Sequence, residues 1–208
     1  NENISELLHQ WIEIIGFRVY ENSRDKVLLV LNEHNTYISF SGTKNYNAWI
    51  SNLLFWPKNG FHSGISKDTE KIFEPIIKSI PKDKPVLISG HSRGASMALY
   101  SNLILRRIGE HCVESIGFSG PYIAVKGSGI EELKRLHINH TGYETDASGM
   151  LHSDPVDDMG ALCGKHFGKR YVLGGSGGVF DHSYKKITKN LIIHYIRNNM
   201  DKNNIDAL

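Results

Sequence analysis

The spacing of apolar residues changes several times along the chain, and these changes predict an alternation of helices and strands. At the start of the chain, apolar side chains recur at helical spacing and predict a helix that ends near Gly16. Two strand-like runs follow at residues 26–31 and 36–40, with a turn at residues 33–35 between them. The apolar residues of the predicted N-terminal helix are Ile4, Leu7, Leu8, Trp11, Ile12 and Ile15.

The rest of the chain alternates short apolar runs with segments of helical spacing. Residues 85–89 predict a short buried strand, and residues 95–108 predict a helix directly after it. Because strands that alternate with helices need crossover connections, the pattern predicts an α/β fold with a mainly parallel sheet. The other predicted helices are at residues 47–55, 65–80 (stopping before Pro81), 130–136 and 183–198, and the other predicted strands are at residues 113–118, 137–142 and 170–173.

Length and composition are typical of one soluble globular domain. The chain has 208 residues, of which 40% are hydrophobic and 22% are charged, so we expect a single domain over residues 1–208. The net charge of +2 is too small to indicate nucleic-acid binding. No apolar run approaches the ~20 residues of a membrane-spanning helix, so we expect no transmembrane segment. The oligomeric state stays open.

Two cysteines, Cys112 and Cys163, are too few for a disulfide framework and lack the spacing of metal ligands. We therefore expect no metal and no cofactor, while one disulfide between the two cysteines stays an open alternative.

The opening residues 1–3 have neither the basic start nor the apolar stretch of a signal peptide. Since a cleaved signal would leave no trace, a cytoplasmic and a secreted location both fit the sequence.

The segment Gly90-His91-Ser92-Arg93-Gly94, which we call the elbow, carries the strongest chemical signal. Its Gly-x-Ser-x-Gly pattern is weak alone, but here it follows a predicted buried strand and precedes a predicted helix. A tight strand-to-helix turn exposes a strained serine at the edge of the sheet, and the helix N-terminus offers N–H groups that stabilise an oxyanion. We predict that Ser92 is a nucleophile. The alternative is that Ser92 caps an ordinary helix.

Three further segments accompany the elbow. They are Ile38-Ser39-Phe40-Ser41-Gly42-Thr43 with Trp49, then Phe61-His62-Ser63-Gly64-Ile65, and finally Ser153-Asp154-Pro155-Val156 with Asp181-His182-Ser183-Tyr184. In this order, and with the elbow between the second and the third, they resemble the class 3 (fungal-type) lipase family. The resemblance implies an α/β-hydrolase fold with helices on both faces of the sheet and hydrolysis of carboxylic esters without a cofactor.

Three residues depart from the pattern of that family. Ser41 stands where the family usually has arginine, Arg93 where it usually has leucine, and Asp157 where it often has proline. These differences leave a catalytic triad as the expectation, but they leave the substrate class and the behaviour of a lid open.

The resemblance implies a Ser-Asp-His triad. A serine hydroxyl needs a base because it is a poor nucleophile at neutral pH, and the base needs an acid that orients it. Ser92 is the predicted nucleophile, Asp154 the predicted acid and His182 the predicted base, which is the chain order of hydrolase folds. The competing candidates are His166 for the base and Asp146, Asp157 and Asp158 for the acid.

Two backbone N–H groups are predicted to form the oxyanion hole. The elbow assigns one of them to Arg93, and the resemblance assigns the other to Thr43, whose hydroxyl is a further candidate donor. The side chain of Arg93 has two interpretations. It binds an anionic group of the substrate, or it pairs with Asp157 or another carboxylate.

Aromatic and aliphatic residues cluster between Thr43 and Pro57. The resemblance implies that this segment is a lid, with Trp49, Leu53 and Trp56 as candidate acyl contacts and a lipid interface as a candidate partner. A buried amphipathic helix explains the same pattern, so both interpretations are kept.

The combined expectation is a serine esterase or lipase that acts through an acyl-enzyme on a small-molecule or lipid ester. The short chain and its few apolar insertions favour small or soluble esters. Phospholipids and acetylated glycans stay open as substrates, as do peptidase and acyltransferase reactions with the same triad. The alternative from another class is a catalytically silent hydrolase fold that serves as a binding module.

Overall fold

Strands alternate with helices from residue 57 to residue 146 of the computed structural model, which describes residues 14–21, 26–42, 57–109, 112–121, 123, 127–146, 166–174 and 188. The strands are β1 (Ile14–Glu21), β2 (Lys26–Asn32), β3 (Thr36–Phe40), β4 (Pro57–Lys58), β5 (Phe61–His62), β6 (Val86–His91), β7 (Val113–Phe118), β8 (Asn139–Asp146) and β9 (Lys169–Gly174). The helices are α1 (Ser63–Ile77), α2 (Arg93–Arg107) and α3 (Gly127–Arg135).

Seven strands form one sheet in the order β1-β2-β3-β6-β7-β8-β9, and β4 pairs with β5 separately. The strands β1, β2 and β3 pair antiparallel, whereas β3, β6, β7, β8 and β9 run parallel. Asn32 closes the β2–β3 hairpin, because its side-chain oxygen accepts hydrogen bonds from the backbone N–H groups of His34 (2.9 Å) and Asn35 (2.5 Å). The parallel pairs need crossovers, and α1, α2 and α3 lie in these connections. The predicted α/β class with a mainly parallel sheet is confirmed.

Helix α2 lies at the centre of the core. It packs on β3, β6 and β7 and is also covered by α1, so that most of its side chains are buried. Helix α1 is amphipathic and buries Ile65, Phe73 and Ile76 while its charged residues stay at the surface. The start of α2 is therefore held by the sheet on one side and by a second helix on another.

Most of the predicted elements are confirmed with small shifts at their ends, but the first one is not. Residues 14–21 form β1, and Gly16 lies opposite Leu31 in the antiparallel ladder with β2. The predicted end of an N-terminal helix near Gly16 is therefore wrong, and Ile15 belongs to a strand. Helix α1 ends at Ile77, before residue 80, with Lys78 as its C-cap.

The β4–β5 hairpin was not among the predicted elements. Its turn consists of Asn59 and Gly60, both with positive φ (53° and 82°), which is the conformation that Asn-Gly turns favour. The predicted helix at residues 47–55 and, apart from Thr188, the one at residues 183–198 lie outside the described residues. Within the described ranges, no helix is long and apolar enough to span a membrane.

Candidate active site

The elbow is a sharp junction between β6 and α2. Strand β6 ends at His91, α2 begins at Arg93, and Ser92 between them has φ 56° and ψ −132°. A positive φ is unfavourable for a residue with a side chain, and such strain persists only where the surrounding structure enforces it. Ser92 occupies the N-cap position of α2, but its side chain makes no capping hydrogen bond, and its positive φ differs from the extended backbone of an ordinary N-cap.

The two glycines of the elbow are required by close backbone contacts. A Cβ atom on Gly90 would overlap the carbonyl group of Gly94, and a Cβ on Gly94 would lie 2.6 Å from the carbonyl oxygen of Phe40. Neither contact can be relieved by a side-chain rotation, since both involve backbone atoms. The strand and the helix thus approach each other closely enough to hold Ser92 in its strained conformation.

The chain leaving β3 runs beside the nucleophile. A Cβ atom on Gly42 would lie 3.3 Å from the Cβ of Ser92 and 3.0 Å from the carbonyl oxygen of His91. Thr43, the predicted second oxyanion donor, is the next residue and lies outside the described residues. The Arg93 backbone N–H belongs to the first turn of α2, where the helix dipole is positive. The carboxyl ends of β3 and β6 therefore meet where an oxyanion hole would form.

The parallel strands bring the remaining connections to the same edge. The Ser92 N–H donates to the Phe118 carbonyl oxygen at the end of β7 (2.9 Å), and the Ser119 N–H donates to the Tyr143 carbonyl oxygen on β8 (2.8 Å). Asp154 follows β8 in sequence and His182 follows β9, so both come from connections that start at this edge. Both residues lie outside the described part of the chain, and their roles stay predictions.

The structure does not decide among the competing candidates for the acid of the triad. Asp146 is the last residue of β8, whose carboxyl end faces the site, and its backbone pairs with that of Gly174 on β9. Asp157 and Asp158 lie outside the described residues, as do the candidate lid residues Trp49, Leu53 and Trp56.

The side chain of Arg93 turns into the protein. It is 1% exposed, and its Nη2 lies 2.5 Å from Oδ2 of Asp68 on α1. The hypothesis that this guanidinium binds an anionic substrate group is therefore wrong, because the group is buried and already neutralised. The interpretation as an ion pair is confirmed, but the partner is Asp68, a residue that the sequence did not single out.

His166, the competing base, is held on β8. Its Nδ1 lies 3.1 Å from Oε1 of Glu144, and the Nε of Arg170 also donates to this buried carboxylate. The imidazole covers Gly142, where a Cβ would lie 2.7 Å from its Cε1. These contacts fasten the segment before β9 to β8. They give His166 a structural task and leave the prediction of His182 as the base unchanged.

A buried polar network lies on the opposite side of α2 from Asp68. His140 Nδ1 lies 2.9 Å from the Ser115 hydroxyl, and Asn102 of α2 donates to both the Ser115 hydroxyl (3.0 Å) and the Asn139 carbonyl oxygen (2.8 Å). Burial, together with the charge of nearby His166, lowers the pKa of His140 to about 3. The His140 imidazole is therefore neutral at physiological pH and serves as a hydrogen-bonding core residue.

A small cavity adjoins this network at His140. Its volume is about 30 Å³, enough for one water molecule, and its lining includes Ala95 and Ser96 of α2, Gly120, Glu144 and His166.

Within the described residues, no cluster of three histidine, cysteine, aspartate or glutamate side chains could hold a metal ion. Cys112 is an exposed free thiol, and Cys163 lies outside the described residues.

His62, from the second resembling segment, has a local structural role. It is 2% exposed and precedes α1, where its Nδ1 accepts a hydrogen bond from the Ile65 N–H (3.3 Å). The backbone N–H of His62 donates a hydrogen bond to the Ile123 carbonyl oxygen (2.9 Å). The segment therefore fixes the start of the helix that carries Asp68.

Neither a family model nor a curated protein matches the chain by sequence. Solved structures do match its fold. A lipase from Rhizopus microsporus var. chinensis has a TM-score of 0.63 and 15% identity, over 80% of this chain and 64% of that one. The triacylglyceride lipase of Rhizomucor miehei has a TM-score of 0.60 and 19% identity, over 77% and 66%. The Lip2 lipase of Yarrowia lipolytica has a TM-score of 0.59 and 14% identity, over 77% and 65%.

These comparisons show that the chain has the α/β-hydrolase fold, as the resemblance to class 3 lipases implied. The chain spans slightly less than two thirds of the length of these three lipases. Since the identities lie between 14% and 19%, the likeness concerns the fold and not the activity.

Proposed function

We propose that this chain is a serine hydrolase that cleaves carboxylic esters through an acyl-enzyme on Ser92. The observation that carries the proposal is the backbone of Ser92, a non-glycine residue with φ 56° between a buried strand and a buried helix. The glycines on both sides permit the close backbone contacts that accompany this strained geometry, although a strand and a helix can be joined without it. Strain of this kind is typical of functional sites.

The proposed reaction uses the predicted triad. The Ser92 hydroxyl oxygen attacks the ester carbonyl carbon while His182 takes the hydroxyl proton and transfers it to the leaving alcohol. Asp154 orients the imidazole, and water then cleaves the acyl-enzyme to release the acid and restore Ser92. The backbone N–H groups of Arg93 and Thr43 stabilise the oxyanion of both tetrahedral intermediates. The topology of the sheet supports the proposal, because the connections that carry these residues all start at the same edge.

The proposed substrate is a neutral carboxylic ester. The cation nearest to the nucleophile in sequence, Arg93, is buried against Asp68 and offers no charge to a substrate anion. The structural neighbours are named lipases, and one of them is named a triacylglyceride lipase. We therefore propose a small-molecule or lipid ester, with Trp49, Leu53 and Trp56 as the residues that contact the acyl chain.

A series of nitrophenyl esters of increasing chain length tests this function. Wild-type protein should hydrolyse at least part of the series, and Ser92→Ala and His182→Ala should each lower kcat by at least about 10³-fold. His166→Ala is the matched histidine control and should retain most of the activity. If no ester is hydrolysed by the folded protein, a catalytically silent binding module is the better account. Activity that rises sharply at an emulsion interface would assign lipid esters and a mobile lid.

A further inference from the structure

An ion pair adjoins Ser92, the residue of the elbow that has a positive φ. Arg93 directly follows Ser92, and its guanidinium is bonded at 2.5 Å to Asp68, 25 positions earlier on α1. The arginine side chain is 1% exposed and the aspartate side chain is 20% exposed. The first residue of α2 is thus tied to the neighbouring helix by a charged contact whose guanidinium is removed from water and whose carboxylate is partly exposed.

An ion pair of this kind is not the most stabilising way to fill the space between two helices. A buried guanidinium loses its hydration, and the attraction of the carboxylate offsets this loss only when the geometry of the pair is good. Apolar residues of similar volume often stabilise a fold better. An ion pair between a planar guanidinium and a carboxylate is directional, however, whereas an apolar contact tolerates rotation and sliding. The pair therefore suits a position at which orientation matters more than stability.

The orientation of the Arg93 peptide is what the proposed chemistry needs. The N–H of the residue after the nucleophile stabilises the oxyanion only when it points at that oxygen, and donor positions matter on a scale below 1 Å. The β3 side of the elbow is fixed by backbone contacts of Gly94 with Phe40 and Ser41. On the α1 side, Asp68 holds the elbow through its ion pair with Arg93, so contacts from two directions fix the position of the elbow.

We propose that Asp68 and Arg93 are positioning residues, whose buried ion pair holds the backbone N–H of Arg93 in the orientation of an oxyanion donor. The inference rests on the proposed ester hydrolysis at Ser92 and adds two side chains that touch neither substrate nor the reacting atoms.

The rate of inactivation by a fluorophosphonate probe tests the pair. The probe forms a tetrahedral adduct on the serine, so its rate depends on the oxyanion donors. Asp68→Asn and Arg93→Leu should lower this rate by at least about tenfold, with the loss in the maximal rate and not in probe affinity. The double variant should lose little more than either single one, because both remove the same contact.

A matched control separates the orientation of the Arg93 peptide from helix docking, by which we mean the packing of α1 against α2. The Tyr100 hydroxyl donates to Glu70 at 2.9 Å and links the same two helices at a distance from the elbow. Tyr100→Phe removes this link and should leave the inactivation rate within about twofold of wild type. If thermal unfolding shows that Asp68→Asn does not fold, Asp68→Glu and Arg93→Lys keep the charges but change the geometry, and the same loss of rate is expected.

The outcomes distinguish the two proposals. Wild-type protein that is not labelled at Ser92 would remove the hydrolase and the positioning pair together. Labelled wild type with folded Asp68 and Arg93 variants that react at the wild-type rate would overturn the pair alone. A rate loss shared equally by Tyr100→Phe would also overturn it, since helix docking would then explain the effect.

Discussion

Two buried polar clusters flank α2, and they treat charge differently. Near the elbow, Arg93 and Asp68 form an ion pair between two helices. On the other side, Asn102, Ser115 and His140 form a network in which burial keeps the imidazole uncharged. A charge pair is retained beside the proposed nucleophile, where direction counts, whereas the His140 network is neutral and needs only hydrogen-bond pairing. We therefore expect the first cluster to govern reaction rate and the second to govern stability.

The largest effect is expected from a change in the elbow itself. Gly94→Ala would bring a methyl group to 2.6 Å from the Phe40 carbonyl oxygen, so we expect a loss of about 3 kcal/mol in unfolding free energy and loss of ester hydrolysis. Gly127→Ala, which meets no atom within 4 Å, is the control and should be close to neutral. Urea denaturation measures both variants. A stable, active Gly94→Ala protein would contradict the tight elbow.

The elbow was the part of the site that the sequence could predict. Its signal is local, because five consecutive residues and their flanking patterns define both the strand end and the helix start. The β2–β3 hairpin was predicted for the same reason. The β4–β5 hairpin had an equally local signal in Asn59-Gly60 that was overlooked, and β1 was missed because Gly16 was interpreted as a helix end.

The contacts between charged side chains could not be predicted, because they depend on long-range register. Asp68 reaches Arg93 across 25 positions, which requires the packing angle of two helices as well as their periodicity. Glu144 meets His166 and Arg170 only because β8 and β9 pair in one particular register. A charged residue in a sequence does not show which distant charge it will face.

The second prediction concerns His140 and pH. Its pKa in the folded protein is about 3, whereas the unfolded chain binds this proton near 6.5. Stability should therefore fall as pH decreases from about 6.5 towards 3, by up to ~1.4 kcal/mol per pH unit from this group. His140→Gln should reduce the loss between pH 7 and pH 4.5 by about 2 kcal/mol in urea titrations.

The control for this pH effect is the exposed His34 in the β2–β3 turn. His34→Gln should show the same pH dependence of stability as wild type. If His140→Gln also ran parallel to wild type, the buried imidazole would not be the group that limits stability in acid.

A smaller effect is expected when Glu144 loses its charge. Glu144→Gln weakens the contacts with His166 and Arg170, and we expect a loss of about 2 kcal/mol in unfolding free energy. The fluorophosphonate rate should stay within about threefold of wild type, in contrast to Asp68→Asn. A rate loss as large as that of Asp68→Asn, at equal stability, would show that the Glu144 contacts also serve the chemistry.

The smallest effect is expected at a more exposed pair on the same helix. Arg107 of α2 donates two hydrogen bonds of 2.9 Å to Glu132 of α3, and both side chains are partly exposed. Glu132→Gln should cost less than about 1 kcal/mol and leave ester hydrolysis unchanged. A loss of ester hydrolysis as large as that of Asp68→Asn would mean that the position of Asp68 beside the elbow is not what sets the first cluster apart.

The central claim, a nucleophilic serine in the elbow, is tested most directly by locating a covalent adduct. Folded wild-type protein is treated with a fluorophosphonate and digested, and the modified residue is identified by peptide mass spectrometry. We predict one adduct on Ser92, its absence in Ser92→Ala, and protection by a hydrolysable ester. Labelling at another residue, or a folded wild-type protein without any adduct, would contradict the account.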